Sequence, residues 1–194
     1  DSVIGANFMV MDFVTGRTID TEQAAVLLGA TEADMMSCSL VDTLAQLHRI
    51  EPSAAGLGDL GKPIGFLSRQ VKRWGQQWEL SQTRELHDID RLRNWLASRV
   101  DDIVDQTNGC VIHGDFRIDN VIVDSQSTQI RAVVDWEMAT LGDPLTDLAI
   151  LLVYWTSSTD TLRAAVPVAQ HITDGPGFWT REDIVEHYAR TSGL

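Results

Sequence analysis

Residues 111–124 read VIHGDFRIDNVIVD. Two short β-prone runs enclose a polar stretch that holds His113, Asp115, Arg117, Asp119 and Asn120. The pattern predicts strands at 110–112 and 121–123 around the loop His113 to Asn120. A loop held by strands on both sides presents its polar groups in fixed positions. A third apolar run predicts a strand at 130–134, which delivers Asp135 from a neighbouring segment. Asp115, Asn120 and Asp135 are hard oxygen donors drawn from separate segments. Mg²⁺ takes one or two such protein ligands and completes its shell with phosphate and water.

Helical periodicity surrounds this block. Thr31 with Asp34 predicts a capping-box start, and Met36, Leu40, Leu44 and Leu47 follow at helical spacing until Pro52. Residues 52–63 are rich in glycine and proline and read as loop. A helix is predicted over 65–79, with Val71, Trp74 and Trp78 on one face and Arg69, Lys72 and Arg73 on the other; the two tryptophans read as core. Another is predicted over 88–100, with Ile89, Leu92, Leu96 and Val100 in register, followed by an Asn108-Gly109 turn. Asp143-Pro144 opens a helix over 144–155, with Asp as N-cap and Pro at its first position. That helix is apolar nearly all round and is expected to be buried. An amphipathic helix over 180–190 closes the pattern. Phe8 to Met11 is a short strand candidate.

The composition narrows the function. A hydrophobic content of 44% supports a full core, and the net charge of −13 argues against a general nucleic-acid binder. No apolar run reaches membrane-spanning length. Two cysteines, Cys38 and Cys110, make no disulfide framework and read as reduced thiols of a cytoplasmic protein. His48, His87, His171 and His187 lack metal-ligand spacing and receive no function.

The order Asp115, Asn120, Asp135 resembles a phosphoryl-transfer site. The protein-kinase pattern is H-R-D-L-x-x-x-N followed by a metal-binding Asp. Here the loop reads His113-Gly114-Asp115-Phe116-Arg117-Ile118-Asp119-Asn120, and Asp135-Trp136-Glu137 stands in place of D-F-G. Gly114 and the second departure point away from protein kinases. They resemble the small-molecule kinases of the aminoglycoside phosphotransferase and choline kinase type, with a loop H-G-D-x-x-x-x-N. Gly142-Asp143-Pro144-Leu145-Thr146-Asp147-Leu148-Ala149 resembles the same family.

That resemblance implies an α+β, protein-kinase-like fold, mainly the helical C-terminal lobe, with short hairpins carrying the catalytic loop and the N-terminal lobe largely absent. Residues 1–18 would be the end of the N-terminal lobe and the hinge, and 19–194 the helical lobe, incomplete at both ends. It implies ATP and Mg²⁺ as cofactors and a small-molecule hydroxyl as acceptor. Asp115 would accept or orient the hydroxyl proton, and Arg117 would neutralise the transferred phosphoryl group. Asn120 and Asp135 would hold the metal. His113 and Asp147 would support the site, Asp147 by anchoring the loop backbone. Met11-Asp12-Phe13-Val14-Thr15-Gly16 resembles the hinge, which assigns adenine contacts to the Asp12 carbonyl and the Val14 amide.

Plainer readings stand beside these. Arg117 pairs with Asp119 or Glu137, Asp119 is a turn residue, and Glu137 forms a surface salt bridge. Glu137, Arg69, Lys72 and Arg73 are also the candidate substrate contacts. The stretch Arg69 to Glu79 resembles the branch found fused to acyl-CoA dehydrogenases and its bacterial relatives, which implies a hydroxy acid or hydroxyacyl-CoA acceptor. An inert kinase-like binding module, and a kinase for cationic aminoglycosides or choline, are the competing readings. Without a phosphate loop and strand Lys, residues 1–194 alone are expected to be inactive, with Phe8, Val10 and Phe13 exposed.

Overall fold

The computed structural model describes residues 5, 8, 10–103, 109–157, 159–160 and 171–193. Among the described residues, six helices and two small antiparallel ribbons form an α+β fold. Its spine is α2 (Gly29–His48), whose Met36, Leu40, Val41 and Leu44 are fully buried. The helix begins earlier than the Thr31 signal predicts. A short helix α1 (Glu22–Val26), capped by the Thr21 hydroxyl, runs almost directly into it. Asp34 instead accepts the Trp179 indole N–H at 2.7 Å.

Two helices follow the loop, α3 (Phe66–Ser81) and α4 (His87–Ala97), close to the predicted ranges. The expectation that Trp74 and Trp78 are core does not hold: Trp74 is 55% exposed, and α4 buries no residue. These two helices pack chiefly on each other and on the 3₁₀ turn after them.

The three strands predicted around the loop form; the second pairs with the next strand, the first with one further along the chain. Strand β1 (Cys110–Ile112) pairs with β4 (Thr140–Gly142), Cys110 opposite Gly142. Between them β2 (Val121–Val123) pairs with β3 (Ile130–Val133), Val121 opposite Val133. Arg17 and Val123 exchange two backbone hydrogen bonds of 2.8 Å, adding one rung to β2. Phe8, Val10 and Met11 are not in a strand, and Met9 lies outside the described residues, as does Asn108 of the predicted turn. Gly109 has the positive φ that such a turn uses.

Helix α5 (Leu145–Tyr154) starts one residue later than predicted, with Pro144 in place of Asp143 as the N-cap, and the Asp143 carboxylate accepts the Leu145 N–H at 2.9 Å. It is not buried all round: Leu145 and Val153 are each more than half exposed. Its other face packs Leu148 and Leu151 into the core with α2 and α6 (Arg181–Ser192). The last helix opens on a Thr180–Asp183 capping box and ends at left-handed Gly193. Phe116 and Ile118 enter the same core from the polar loop, so alternate loop residues anchor it while Asp115 and Arg117 face outward. No helix of the described residues is long and apolar enough to cross a membrane.

Candidate active site

The loop after β1 is tied down by Asp147, which is fully buried on α5. Its Oδ2 accepts the His113 N–H at 2.6 Å and its Oδ1 the Gly114 N–H at 2.8 Å. Two charge-assisted bonds to consecutive amides leave this backbone little freedom. The buried His113 ring lies across the loop. Its Nε2–H donates to the Val134 carbonyl at 2.9 Å, and its Nδ1 accepts the Asp115 N–H at 3.2 Å. That pair of partners fixes the tautomer and suits a structural role. Gly114 is required by shape: its φ is +85°, and a Cβ would sit 2.5 Å from the Met138 carbonyl oxygen. An Arg could not stand there.

Asp115 projects from this anchored backbone. The Asn120 side-chain amide donates to the Asp115 carbonyl at 2.8 Å and to its carboxylate at 3.2 Å. With the NH₂ group committed, the Asn120 Oδ1 is the atom left to act as an acceptor or ligand. The Val134 N–H donates to the Asn120 carbonyl at 2.9 Å, so the β2–β3 register brings Asn120 and Asp135 to the same end of the ribbon. Asp135 is exposed and has φ +67°, a left-handed conformation that a non-glycine residue adopts at a cost of about 1–3 kcal/mol. Trp136 braces it, with its ring 4.7 Å from that of His113 and its indole N–H on the Val133 carbonyl at 2.8 Å. An amide oxygen and an exposed carboxylate are the hard donors Mg²⁺ prefers, so the residues present fit that ion.

Arg117 is held on three sides. It pairs with Asp119 at 2.8 Å, lies 3.5 Å from the Asp115 carboxylate, and stacks 4.4 Å from the Tyr154 ring centroid. Its buried Nε, the atom facing Asp115, has no hydrogen-bond partner among the described residues. Burial raises the Asp119 carboxyl above its ordinary value, and the Arg117 charge opposes that. The Arg117–Asp119 pair is thus present, as the plainer reading had it. Asp12 is exposed and Val14 half-buried in an irregular segment that runs into the Arg17 rung on β2.

A cleft of about 620 Å³ opens beside the loop. Its walls include Arg73 and Trp74 of α3, Gly114, Glu137, and Thr146 and Ile150 of α5. It shares Gln70 and Trp74 with a second, almost wholly apolar groove of about 250 Å³, lined by Trp78, Ile89, Leu92 and Leu96 between α3 and α4. Of the predicted basic face, Arg73 reaches the cleft. The Arg69 guanidinium instead donates to the Lys62 and Ile64 carbonyls, closing the turn before α3, and Lys72 is exposed. Glu137 lines the cleft with its side chain exposed; no ion pair of Glu137 is found among the described residues.

Sequence reasoning missed His48 and Tyr188. His48 Nε2 lies 3.2 Å from the Asp147 carboxylate and its Nδ1 lies 2.6 Å from the Tyr188 hydroxyl. The carboxylate accepts from Nε2–H, so Nδ1 is the acceptor for the Tyr188 O–H. A signal existed: His48 sits four residues after Leu44, on the buried stripe of α2.

The phosphotransferase enzyme family model matches residues 1–180. Acyl-CoA dehydrogenase family member 11 of Rattus norvegicus is 32% identical over the whole of this chain, which spans 24% of that relative's length. A crystal structure from Ralstonia eutropha JMP134, provisionally described as an aminoglycoside phosphotransferase, superposes with a TM-score of 0.77 at 29% identity, covering 94% of this chain and 54% of that one. An aminoglycoside phosphotransferase solved with ADP bound superposes with a TM-score of 0.51 at 19% identity, over 92% and 58% of the two chains, and shares the fold.

Proposed function

The chain belongs to the phosphotransferase enzyme family, and from that premise we propose that it is the helical lobe of an ATP-dependent kinase that phosphorylates a small-molecule hydroxyl. The observation that carries this reading is the presentation of Asp115. Its backbone is anchored through the Asp147 bonds to the two preceding residues, its carboxylate is held by Asn120, and the adjoining Gly114 forms part of the cleft wall. Asp115 orients the acceptor hydroxyl and takes its proton as the phosphoryl group leaves the nucleotide. Arg117 stands within reach of Asp115 to offset charge on the transferred group. Residues 11–16 act as the hinge, with adenine contacts at the Asp12 carbonyl and the Val14 amide. Asn120 and Asp135 hold Mg²⁺, which when bound neutralises phosphate charge.

The acceptor in this reading is a hydroxy acid or its CoA thioester. Arg73 offers a guanidinium to an anionic group in the cleft. The adjoining apolar groove offers a place for a hydrocarbon tail, which a sugar antibiotic or choline lacks. The test is phosphate transfer from ATP to a panel of hydroxyacyl-CoA thioesters, free hydroxy acids, kanamycin and choline, using the intact protein and Arg73→Ala. The expected result is transfer to the hydroxyacyl substrates, with KM for them raised in the variant and KM for ATP unchanged. Efficient phosphorylation of kanamycin or choline alone would retire the acceptor class and leave the kinase standing. Nucleotide binding without transfer to any hydroxyl would favour the inert binding module.

A further inference from the structure

Outside the candidate active site, three unlike donor groups meet on the seam between α2 and α6. Cys38 and Asp42 stand one turn apart on α2, and His187 faces them from α6. The Cys38 Sγ lies 3.6 Å from one Asp42 carboxylate oxygen and 3.9 Å from the His187 Nε2. That nitrogen lies 2.8 Å from the other Asp42 oxygen. The donor atoms fall within 4.8 Å of one another, the only such group among the described residues.

We propose that Cys38, Asp42 and His187 form a Zn²⁺ site, with a fourth position left to water. A thiolate, an imidazole and a carboxylate are the set that a borderline-soft ion takes, whereas Mg²⁺ requires oxygen ligands. A tetrahedral ion with bonds of about 2.0–2.3 Å separates its donor atoms by roughly 3.3–3.8 Å. The two sulfur separations already lie close to that range. The 2.8 Å imidazole–carboxylate pair must open slightly as coordination replaces its hydrogen bond.

The carboxylates of Asp42 and Asp34, both on α2, put negative charge near the thiol, which favours a cation there. Binding releases the thiol proton to solvent, and the imidazole proton moves from Nε2 to Nδ1. Arg190, whose guanidinium lies 3.5 Å from the Nδ1, must swing away; it is exposed and paired with Glu186. The Trp179 ring, 4.9 Å from the imidazole, and Asp34, held by the Trp179 indole, complete the shell. An ion at this seam clamps α6 beside Tyr188, the residue that reaches His48.

The experiment is titration of chelator-stripped protein with Zn²⁺ against a chromophoric chelator, and with Co²⁺ read by its sulfur-to-metal charge-transfer band. One equivalent should bind, with the band present in the wild type and absent in Cys38→Ser. Asp42→Asn and His187→Gln should weaken Zn²⁺ at least about tenfold, the lower end of what losing even an outer partner costs. Asp135→Ala and excess Mg²⁺ should leave Zn²⁺ binding unchanged, which separates this site from the catalytic loop. Absence of stoichiometric binding by the wild type overturns the proposal. So does an undiminished cobalt band in Cys38→Ser, and the spectrum of the wild type decides the matter even where a variant folds poorly.

Discussion

His48 Nε2 lies 3.2 Å from the Asp147 carboxylate, and both side chains are sealed from solvent. Asp147 therefore accepts from three donors at once: one imidazole and the amides of His113 and Gly114. Asp147→Asn keeps the shape but turns an NH₂ toward one of those donors. A buried polar group left unpaired costs about 1–3 kcal/mol. The urea midpoint should fall accordingly and turnover should fall with it. An unchanged midpoint would show that the loop does not depend on this carboxylate.

Asp115→Asn should cut turnover at least about a hundredfold, the lower end for general-base contributions. Nucleotide affinity should change little, because the Asn120 bond to the residue-115 carbonyl survives the substitution. Near-normal turnover removes Asp115 from the chemistry.

Asp135→Ala should weaken binding of Mg·ATP while leaving metal-free adenosine unaffected, as read by calorimetry with each ligand. Equal losses for both would mean that Asp135, with its left-handed backbone, shapes the turn and not a metal site.

Gly114→Ala introduces a Cβ 2.5 Å from the Met138 carbonyl at a φ that suits glycine. Strain and overpacking each cost about 1–3 kcal/mol. The variant should unfold at lower urea and lose activity even though no functional side chain is altered. Wild-type stability would show that the 136–138 turn yields freely.

Burial, then the charges of Asp147 and Asp143, push the Cys110 thiol up to about 12, from an ordinary value of 9.0. At pH 8 the native protein should therefore react with a thiol reagent at Cys38 alone, and Cys110 should react only on unfolding. The folded value lies above the unfolded one. The corresponding stability is present below pH 9 and lost as pH rises toward 12, so the melting temperature should drop over that window in the wild type more than in Cys110→Ala. Rapid labelling of Cys110 in the native state would contradict its burial.

Much of the site was legible in the chain because its signals are local. His113, Gly114, Asp115 and Asn120 lie within eight residues, and short apolar runs mark β1, β2 and β3 on either side. The helices α2, α3 and α6 follow from periodicity for the same reason. Asp135 could be joined to that group because β2 and β3 are a near-neighbour pair.

Tertiary structure alone decided the rest. Strand β4, Thr140-Leu141-Gly142, holds one large apolar residue and so shows no apolar run, and it pairs with β1 some thirty residues back. Trp74 and Leu92 look like core in a helical wheel, but α3 and α4 pack chiefly on each other and leave an open apolar groove. Arg69 has a charged side chain that sequence assigns to solvent or ligand, yet two backbone carbonyls capture it. His48, Asp147 and Tyr188 come from three helices, as do Cys38, Asp42 and His187 from two. Residue type and spacing report what one segment can do. Which segments meet is fixed by how their apolar faces pack, and only that packing brings these side chains together.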